Sequence, residues 1–349
     1  MVNIDNHKLM YHPKRVAEFL EKADCYPIHV EIGPTNRCNH RCVFCALDWL
    51  EHGGYDIDKS VMISALEDMA NHDVRSVVFA GEGEPLLHKD ISLFVHHAKK
   101  SGLDVAITTN GVPFTPSRIN EILPYLSWIR FSVNAGNPEI YSKVHRTKKE
   151  DFDKVIRNVS CSSKLERKEK LQTTIGVQTL VLSNNISTLS DLAKICKNAG
   201  ADNLQVKPYS HHPKSKNDFS VGFSELKELE EKLMEFEDEN FKILYRKETM
   251  KRIEEGITYP ECYGLPFFAL IDAKGNVIPC NLFYDNADFI YGNLYKKSFS
   301  EIWEGEERKK VIDKIRERGI ENCRKGCRLD VINRYIHRLK NPNLHDNFI

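Results

Sequence analysis

Short apolar runs that alternate with amphipathic stretches leave the chain few architectures to adopt. The runs are His29–Ile32, Ser76–Ala80, Asp104–Thr108, Trp128–Val133, Thr173–Val181, Asn203–Lys207 and Lys242–Tyr245. Between them, Lys59–Ala70, Ile91–Ser101, Ser117–Leu123, Lys154–Cys161 and Thr188–Ala199 carry apolar residues three or four apart, as helices with one buried face do. Such alternation builds a parallel sheet or barrel, with the chemistry at the carboxyl ends of the strands. Pro34–Cys45, Gly81–Pro85 and Pro208–His212 fall at those ends. The expected fold class is α/β: a partial (β/α)6 barrel over residues 28–222, after an N-terminal extension at 1–27. A charge-rich helical linker at 223–257 then leads to a small cysteine-rich domain at 258–349.

Composition sets the outer bounds. The 349 residues are 41% hydrophobic and 29% charged, enough for one large core and an appended domain. Fifty Lys and Arg balance fifty Asp and Glu, so no overall field favours nucleic acid or an anionic membrane. No apolar run reaches about 18 residues, and the stretch from Met1 to Lys22 is too polar for a secretory leader. A cytoplasmic protein with no membrane or nucleic-acid partner is expected.

Ten cysteines in such a chain point to metal or redox chemistry, because reducing compartments rarely keep structural disulfides. Cys38, Cys42 and Cys45 form one tight group, Cys262, Cys280, Cys323 and Cys327 occupy the last quarter, and Cys25, Cys161 and Cys196 stand alone. Two metal sites follow. In Cys38-Asn39-His40-Arg41-Cys42-Val43-Phe44-Cys45, three sulfurs can hold three irons of a [4Fe–4S] cube. The fourth iron is then open to the amino and carboxylate groups of S-adenosylmethionine. Zinc normally pairs CxxC with a second cysteine or histidine pair, so this spacing is a poor zinc signature. Phe44 can cover the cluster, approach the adenine, or simply join the core.

That spacing, with an aromatic before the third cysteine, resembles the cluster loop of the radical S-adenosylmethionine (radical SAM) superfamily. Further segments resemble the family in the expected order between about Glu31 and Lys207. Gly81-Glu82-Gly83-Glu84-Pro85 resembles the GGEP segment that receives the cofactor's ammonium group, with Glu82 inserted between the glycines. The motif is therefore carried onto Gly83 and Glu84, and a glycine turn beside a carboxylate suits a close approach. Thr108-Thr109-Asn110-Gly111 resembles the TNG turn near the cofactor, which implies Thr109 and Asn110 there; a plain turn is the alternative. Ser132 and Asn134 match positions that hydrogen-bond the ribose or the methionyl carboxylate, and both carry suitable groups. Gln178 stands where a fifth-strand motif approaches adenine, although the surrounding sequence diverges.

Cys262, Cys280 and Cys323-Arg324-Lys325-Gly326-Cys327, with Gly292-Asn293-Leu294 and Ser300-Glu301-Ile302-Trp303 between them, resemble the SPASM/twitch auxiliary-cluster extension. The resemblance implies one auxiliary [4Fe–4S] cluster with a thiolate on every iron. Zinc bound by four cysteines fits the ligand count equally well. A fully ligated cluster cannot chelate substrate, so electron transfer is its expected task. Cys25 and Cys196 read as structural, and Cys161 as the outer end of a helix, so no thiol is evident in a pocket to return a hydrogen atom. Lys207, Tyr209, His211 and His212 are the catalytic candidates, able to orient or deprotonate a polar substrate; ordinary loop residues are the alternative. The resemblance implies hydrogen abstraction from a substrate carbon, with a flavodoxin- or ferredoxin-type electron donor; residues 1–27 offer no room for a peptide-binding domain, so a small, polar, carbohydrate-like molecule is the expected substrate. Dehydrogenation leads, with sugar epimerisation and peptide maturation as alternatives. A zinc-stabilised, non-catalytic binding protein is the reading from a different class.

Overall fold

The computed structural model describes residues 6–219 and 221–348; the first five residues of the N-terminal extension, Ser220 and Ile349 lie outside the described residues. The strands run β1 (His29–Ile32), β2 (Ser76–Phe79), β3 (Asp104–Thr109), β4 (Trp128–Ser132), β5 (Thr174–Val181), β6 (Asn203–Pro208), β7 (Lys242–Tyr245), β8 (Phe268–Ile271), β9 (Asn276–Ile278) and β10 (Gly292–Asn293). They form one sheet in the order β10-β9-β8-β1-β2-β3-β4-β5-β6-β7. The seven strands up to β7 pair in parallel in chain order, as crossover connections require.

The helices are α1 (Pro13–Lys22), α2 (Lys59–Asn71), α3 (Ile91–Lys100), α4 (Pro116–Ile122), α5 (Pro138–His145), α6 (Glu150–Glu169), α7 (Leu189–Asn198), α8 (Phe223–Met234), α9 (Lys247–Glu255), α10 (Phe299–Trp303), α11 (Glu306–Arg318) and α12 (Asp330–Lys340). Capping fixes where several begin: the Asp58 carboxylate accepts the Ser60 N–H at α2, and Asn137 with Pro138 starts α5. Val30, Ile32, Val77, Phe79, Val105, Ile107, Ile129 and Phe131 are buried in the continuous core, which alternate strand residues share with the helices. The intervening residues of β4, Trp128, Arg130 and Ser132, are only half buried. None of the described helices is long and apolar enough to cross a membrane.

Two parts of the expected organisation change. The apolar run Lys242–Tyr245, which falls inside the segment read as a helical linker, forms β7 and pairs with β6 from Asn203↔Lys242 to Val206↔Tyr245, so the sheet rather than a linker occupies that stretch. The cysteine-rich segment also joins the sheet: β8 lies parallel to β1 with Phe268 level with His29 and Ile271 level with Ile32. A second core explains how so short a segment is stabilised. Leu9, Val16 and Phe19 of the N-terminal extension pack with Tyr259, Tyr263, Phe267, Ile320 and Ile336. Helix α6 is longer than its apolar pattern suggested, and Cys161 lies within it rather than at its end.

The fully buried Arg308 guanidinium locks this N-terminal piece in place. It donates to both oxygens of Asp24, at 2.6 and 2.7 Å, and lies 4.0 Å over the Trp303 ring, while the Trp303 indole N–H donates to the Cys25 carbonyl at 2.8 Å. The Asp24 side chain is 44% exposed. Its loss should therefore fall between the cost of breaking a surface pair and a buried one. Asp24→Ala is expected to lower stability by about 2 kcal/mol, read as a shift in the urea midpoint of the cluster-loaded protein. A shift below about 0.5 kcal/mol would show that the pair is not a clamp.

Candidate functional site

The loop bearing Cys38, Cys42 and Cys45 leaves the end of β1 and takes its shape from its neighbours. Arg41 and Val43 donate backbone N–H groups to His145 and Val144 at 3.2 and 2.9 Å, and Glu84 N–H donates to the Arg37 carbonyl at 2.8 Å. The Asn110 side chain donates to Asn39 Oδ1 at 2.7 Å. Gly83 lies directly against the loop: a Cβ there would stand 2.3 Å from the Thr35 carbonyl oxygen and 2.6 Å from that of Arg37. The glycine is therefore needed for backbone contact with the cysteine loop.

Glu84, Thr109 and Asn110 are brought together, but their polar atoms are largely spent on one another. The buried Glu84 carboxylate accepts from Thr109 Oγ1 at 2.7 Å, Asn110 N–H at 2.7 Å and Leu86 N–H at 3.1 Å. Burial still pushes its carboxyl up to about 7 against these donors. The group thus ties the turns after β2 and β3 into one support for the cysteine loop. Asn134 plays a similar part after β4: Oδ1 accepts Leu180 N–H at 2.7 Å, and its carbonyl accepts from Asn185 at 2.9 Å. Ser132 and Gln178 stand side by side in register on β4 and β5, and neither side chain has a hydrogen bond among the described residues. Of the expected cofactor contacts, these two remain open to a ligand. Phe44 lies edge-on to His145 with ring centroids 5.2 Å apart. The inserted Glu82 accepts the Ala273 N–H at 2.7 Å and so joins the glycine turn to the β8–β9 connection.

Sequence reasoning missed His145. Its Nε2 accepts the Asn134 backbone N–H at 3.1 Å, and burial holds the ring neutral, so the proton resides on Nδ1, 3.3 Å from Cys42 Sγ. The imidazole therefore donates to the sulfur. Only the end of an unrecognised short helix, α5, carries this histidine, and no periodic signal marked it.

The second cysteine group is held beside the open edge of the barrel. Cys262 Sγ accepts from Asn333 Nδ2 at 3.6 Å and Cys327 Sγ from Leu329 N–H at 3.4 Å. Burial pushes the Cys38 thiol up to about 11 and Cys262 up to about 12, each with further lifting by neighbouring thiols. Such thiols give up their protons when iron arrives. Sulfurs around one zinc ion sit about 3.8 Å apart. Among the described residues, three donor atoms within 4.8 Å of one another occur at His40, Cys42 and His145, not within either cysteine group. That set contains a single thiolate, and His145 already spends one ring nitrogen on Asn134. Both cysteine groups are thus spread more widely than a zinc ion demands and suit a four-iron cube.

The four catalytic candidates separate. Tyr209 donates its hydroxyl to the Asn217 carbonyl at 2.8 Å, and exposed His211 turns to the Ser215 carbonyl at 3.0 Å. Buried His212 engages the Asn281 carbonyl at 3.3 Å and receives Lys214 N–H at 3.2 Å, so both ring nitrogens are occupied. The polar atoms of these three are engaged by backbone groups in and around the loop after β6. Lys207 lines a cavity with Ser210, Arg324 and Cys327, whereas Tyr209 lines a separate one with Val181, Leu226 and Met250.

Residues 32–194 match the radical SAM superfamily, and residues 262–328 match the SPASM iron–sulfur cluster-binding domain. The chain belongs to the radical SAM superfamily. Its cofactors are those of a radical SAM enzyme with a SPASM-type domain: S-adenosylmethionine, a [4Fe–4S] cluster and an auxiliary iron–sulfur cluster. Among relatives, a probable GTP 3′,8-cyclase of Methanocaldococcus jannaschii is 27% identical over 175 residues, which are 49% of this chain and 56% of that protein. The chain therefore spans only about half of that curated relative. A tungsten-containing aldehyde ferredoxin oxidoreductase cofactor-modifying protein of Pyrococcus furiosus is 24% identical over 301 residues, 80% of this chain and 81% of that one. Streptococcus suis SuiB shares the fold with a TM-score of 0.68 at 18% identity, covering 88% of this chain and 72% of SuiB.

Two outcomes follow for this radical SAM enzyme. Gly83→Ala forces backbone apart where the cysteine loop is seated, so iron content after reconstitution should fall by roughly half, with the C-terminal cluster retained. Full iron loading would show that the loop tolerates the displacement. His145→Phe removes the donor to Cys42; because hydrogen bonds to cluster sulfur favour the more negative, reduced state, the first cluster's reduction potential should become more negative. An unchanged midpoint in an EPR-monitored redox titration would rule the donation out.

Proposed function

We propose that this radical SAM enzyme removes a hydrogen atom from a carbon of a small, polar, carbohydrate-like substrate and releases a two-electron-oxidised carbonyl product. In this reading Cys38, Cys42 and Cys45 hold the site-differentiated cluster, and Cys262, Cys280, Cys323 and Cys327 hold the auxiliary one. When bound, the clusters and S-adenosylmethionine supply a hydrogen-abstracting 5′-deoxyadenosyl radical and an acceptor for the second electron. A cytoplasmic flavodoxin- or ferredoxin-type protein is the proposed electron donor.

The chain's own part is alignment and exclusion of water. Ser132 and Gln178 offer adjacent uncommitted polar groups to the cofactor's sugar or methionyl end. Gly83, Glu84, Thr109 and Asn110 act one step back, by fixing the loop and the turns around it.

The observation that carries oxidation over epimerisation is the disposition of thiols. Cys25 and Cys196 are buried in packed cores, where burial pushes the Cys25 thiol up to about 12, and Cys161 lies within the outer helix α6. Every other cysteine belongs to one of the two ligand groups. An epimerase that returns hydrogen from a thiol needs one free at the reacting carbon. SuiB has been solved with a precursor peptide, which keeps peptide modification as the competing outcome.

The test is turnover in deuterium oxide with a chemical reductant, S-adenosylmethionine and a panel of polyhydroxylated metabolites and short peptides, read by mass spectrometry. Expected is one 5′-deoxyadenosine per carbonyl product, two mass units below substrate, with no deuterium at the reacting carbon; the two units are about the mass of the two hydrogens lost. One non-exchangeable deuterium with no net loss would establish epimerisation instead, and turnover confined to the peptides would establish a maturase.

A further inference from the structure

The cavity beside the auxiliary cysteines has an electrostatic character that the preceding reading does not use. It holds about 110 Å³ and lies between the end of β6 and the turn carrying Arg324 and Arg328, with Ser210, Thr249 and Asn281 among its walls. Lys207 has no hydrogen bond or ion pair among the described residues, although it is largely enclosed. The charges that act on it most strongly are all positive: Arg246, Arg130, Arg328 and Arg324. Burial first, and then these cations, pull its ammonium down to about 7.

Two of these neighbours are already held in position. Arg328 is paired with the buried Glu31 carboxylate, and Arg324 reaches across the cavity to donate to Ser210 Oγ at 2.9 Å and to the Ser210 carbonyl at 2.6 Å. Arg130 is stacked 4.5 Å over Trp128 and has no ion pair among the described residues. Enclosing a lone ammonium among guanidinium groups is costly, and the cost is offset when an anion enters. The thiolates of the auxiliary site account for part of this balance, since Cys327 acts on both Arg324 and Arg328. The strongest charges acting on Lys207 are the arginines, although Cys327 lines the same cavity. Such a small cavity suits an oxyanion group rather than a whole substrate.

We propose that the substrate carries an oxyanion, a phosphate ester or a carboxylate, which docks between Lys207 and Arg324 with Arg130 and Arg246 behind it. This rests on the reading that the barrel mouth is the active site, and it narrows the substrate class. Lys207 then acts as a binding group in its ammonium form, not as the base that deprotonates a hydroxyl.

The experiment titrates inorganic pyrophosphate and, separately, citrate into the reconstituted protein saturated with S-adenosylmethionine, by calorimetry at low salt. Saturation leaves the cofactor's own carboxylate already placed. Wild-type protein is expected to bind one of the two anions, pyrophosphate if the substrate is a phosphate ester and citrate if it is a carboxylate. Lys207→Met should weaken that binding at least about tenfold, and Lys207→Arg should restore most of it. The visible spectrum of each variant confirms that both clusters are assembled. Absence of binding to wild type, equal binding to Lys207→Met, or displacement of S-adenosylmethionine by the anion would each overturn the proposal. Cofactor cleavage by the wild-type protein is measured separately, so a failure of the radical SAM reading would appear there and not in the isotherms.

Discussion

The carbonyl oxygens of Thr35 and Arg37 leave no room for a side chain at position 83, and the arrangement of the site end depends on that contact. The turn after β2 must lie flat on the loop after β1 for Glu84 N–H to reach the Arg37 carbonyl. Only then does the Glu84 carboxylate meet Thr109 and Asn110, and only then does Asn110 reach back to Asn39 inside the cysteine loop. Three successive strands are thereby tied by one buried carboxylate. The loop has little regular structure of its own, so its cysteines are positioned by polar bonds to adjacent strand ends rather than by helix or sheet.

Buried polar groups at this end of the sheet divide by what they face. Glu84, Asn134 and His212 face other protein atoms and are satisfied by them, which makes them supports. Ser132, Gln178 and Lys207 are only partly buried, and their side chains have no hydrogen bond among the described residues. A buried group with its hydrogen bonds complete has little left to offer a ligand, whereas an incomplete one is costly until a ligand arrives. Motif resemblance does not draw this distinction, because both kinds of residue are equally necessary to the site.

Much of this was legible in the sequence for identifiable reasons. The parallel strands announced themselves because each is a short apolar run between helical patterns, and β1, for instance, spans the very run read from that alternation, His29–Ile32. The cysteine spacing placed the loop, since contiguous ligands need no knowledge of tertiary contacts. Long-range pairings were not legible. Nothing local in Phe268–Ile271 says that it will lie against β1, and the N-terminal helix α1 is amphipathic toward residues more than two hundred positions away. Helix α11 was missed because Glu306–Arg318 is dominated by charge, with Val311 and Ile315 as its buried apolar contacts. His212 looked like a catalytic histidine because sequence cannot show that both of its nitrogens are committed to backbone.

The pairing of β8 with β1 has a consequence for electron transfer. The first cysteine group begins six residues after β1 ends, and the second brackets β8, with Cys262 before it and Cys280 just after β9. Because β1 and β8 are hydrogen-bonded neighbours in fixed register, the separation of the two groups is set by a sheet ladder rather than by a linker. On the far side the same domain is fastened by side chains instead: Arg324 to Ser210, Arg252 to Asp330 at 3.3 Å, and Arg334 to the Gly256 carbonyl. A ladder on one edge and long polar side chains on the other make the two attachments unequal in stiffness, since flexible arginine stems yield more readily than backbone pairing. The stiff edge adjoins the first cysteine group and, of the second, Cys262 and Cys280. Cys323 and Cys327 flank Arg324 on the cation-lined side, so the second cysteine group is held by the ladder at one end and by these side chains at the other.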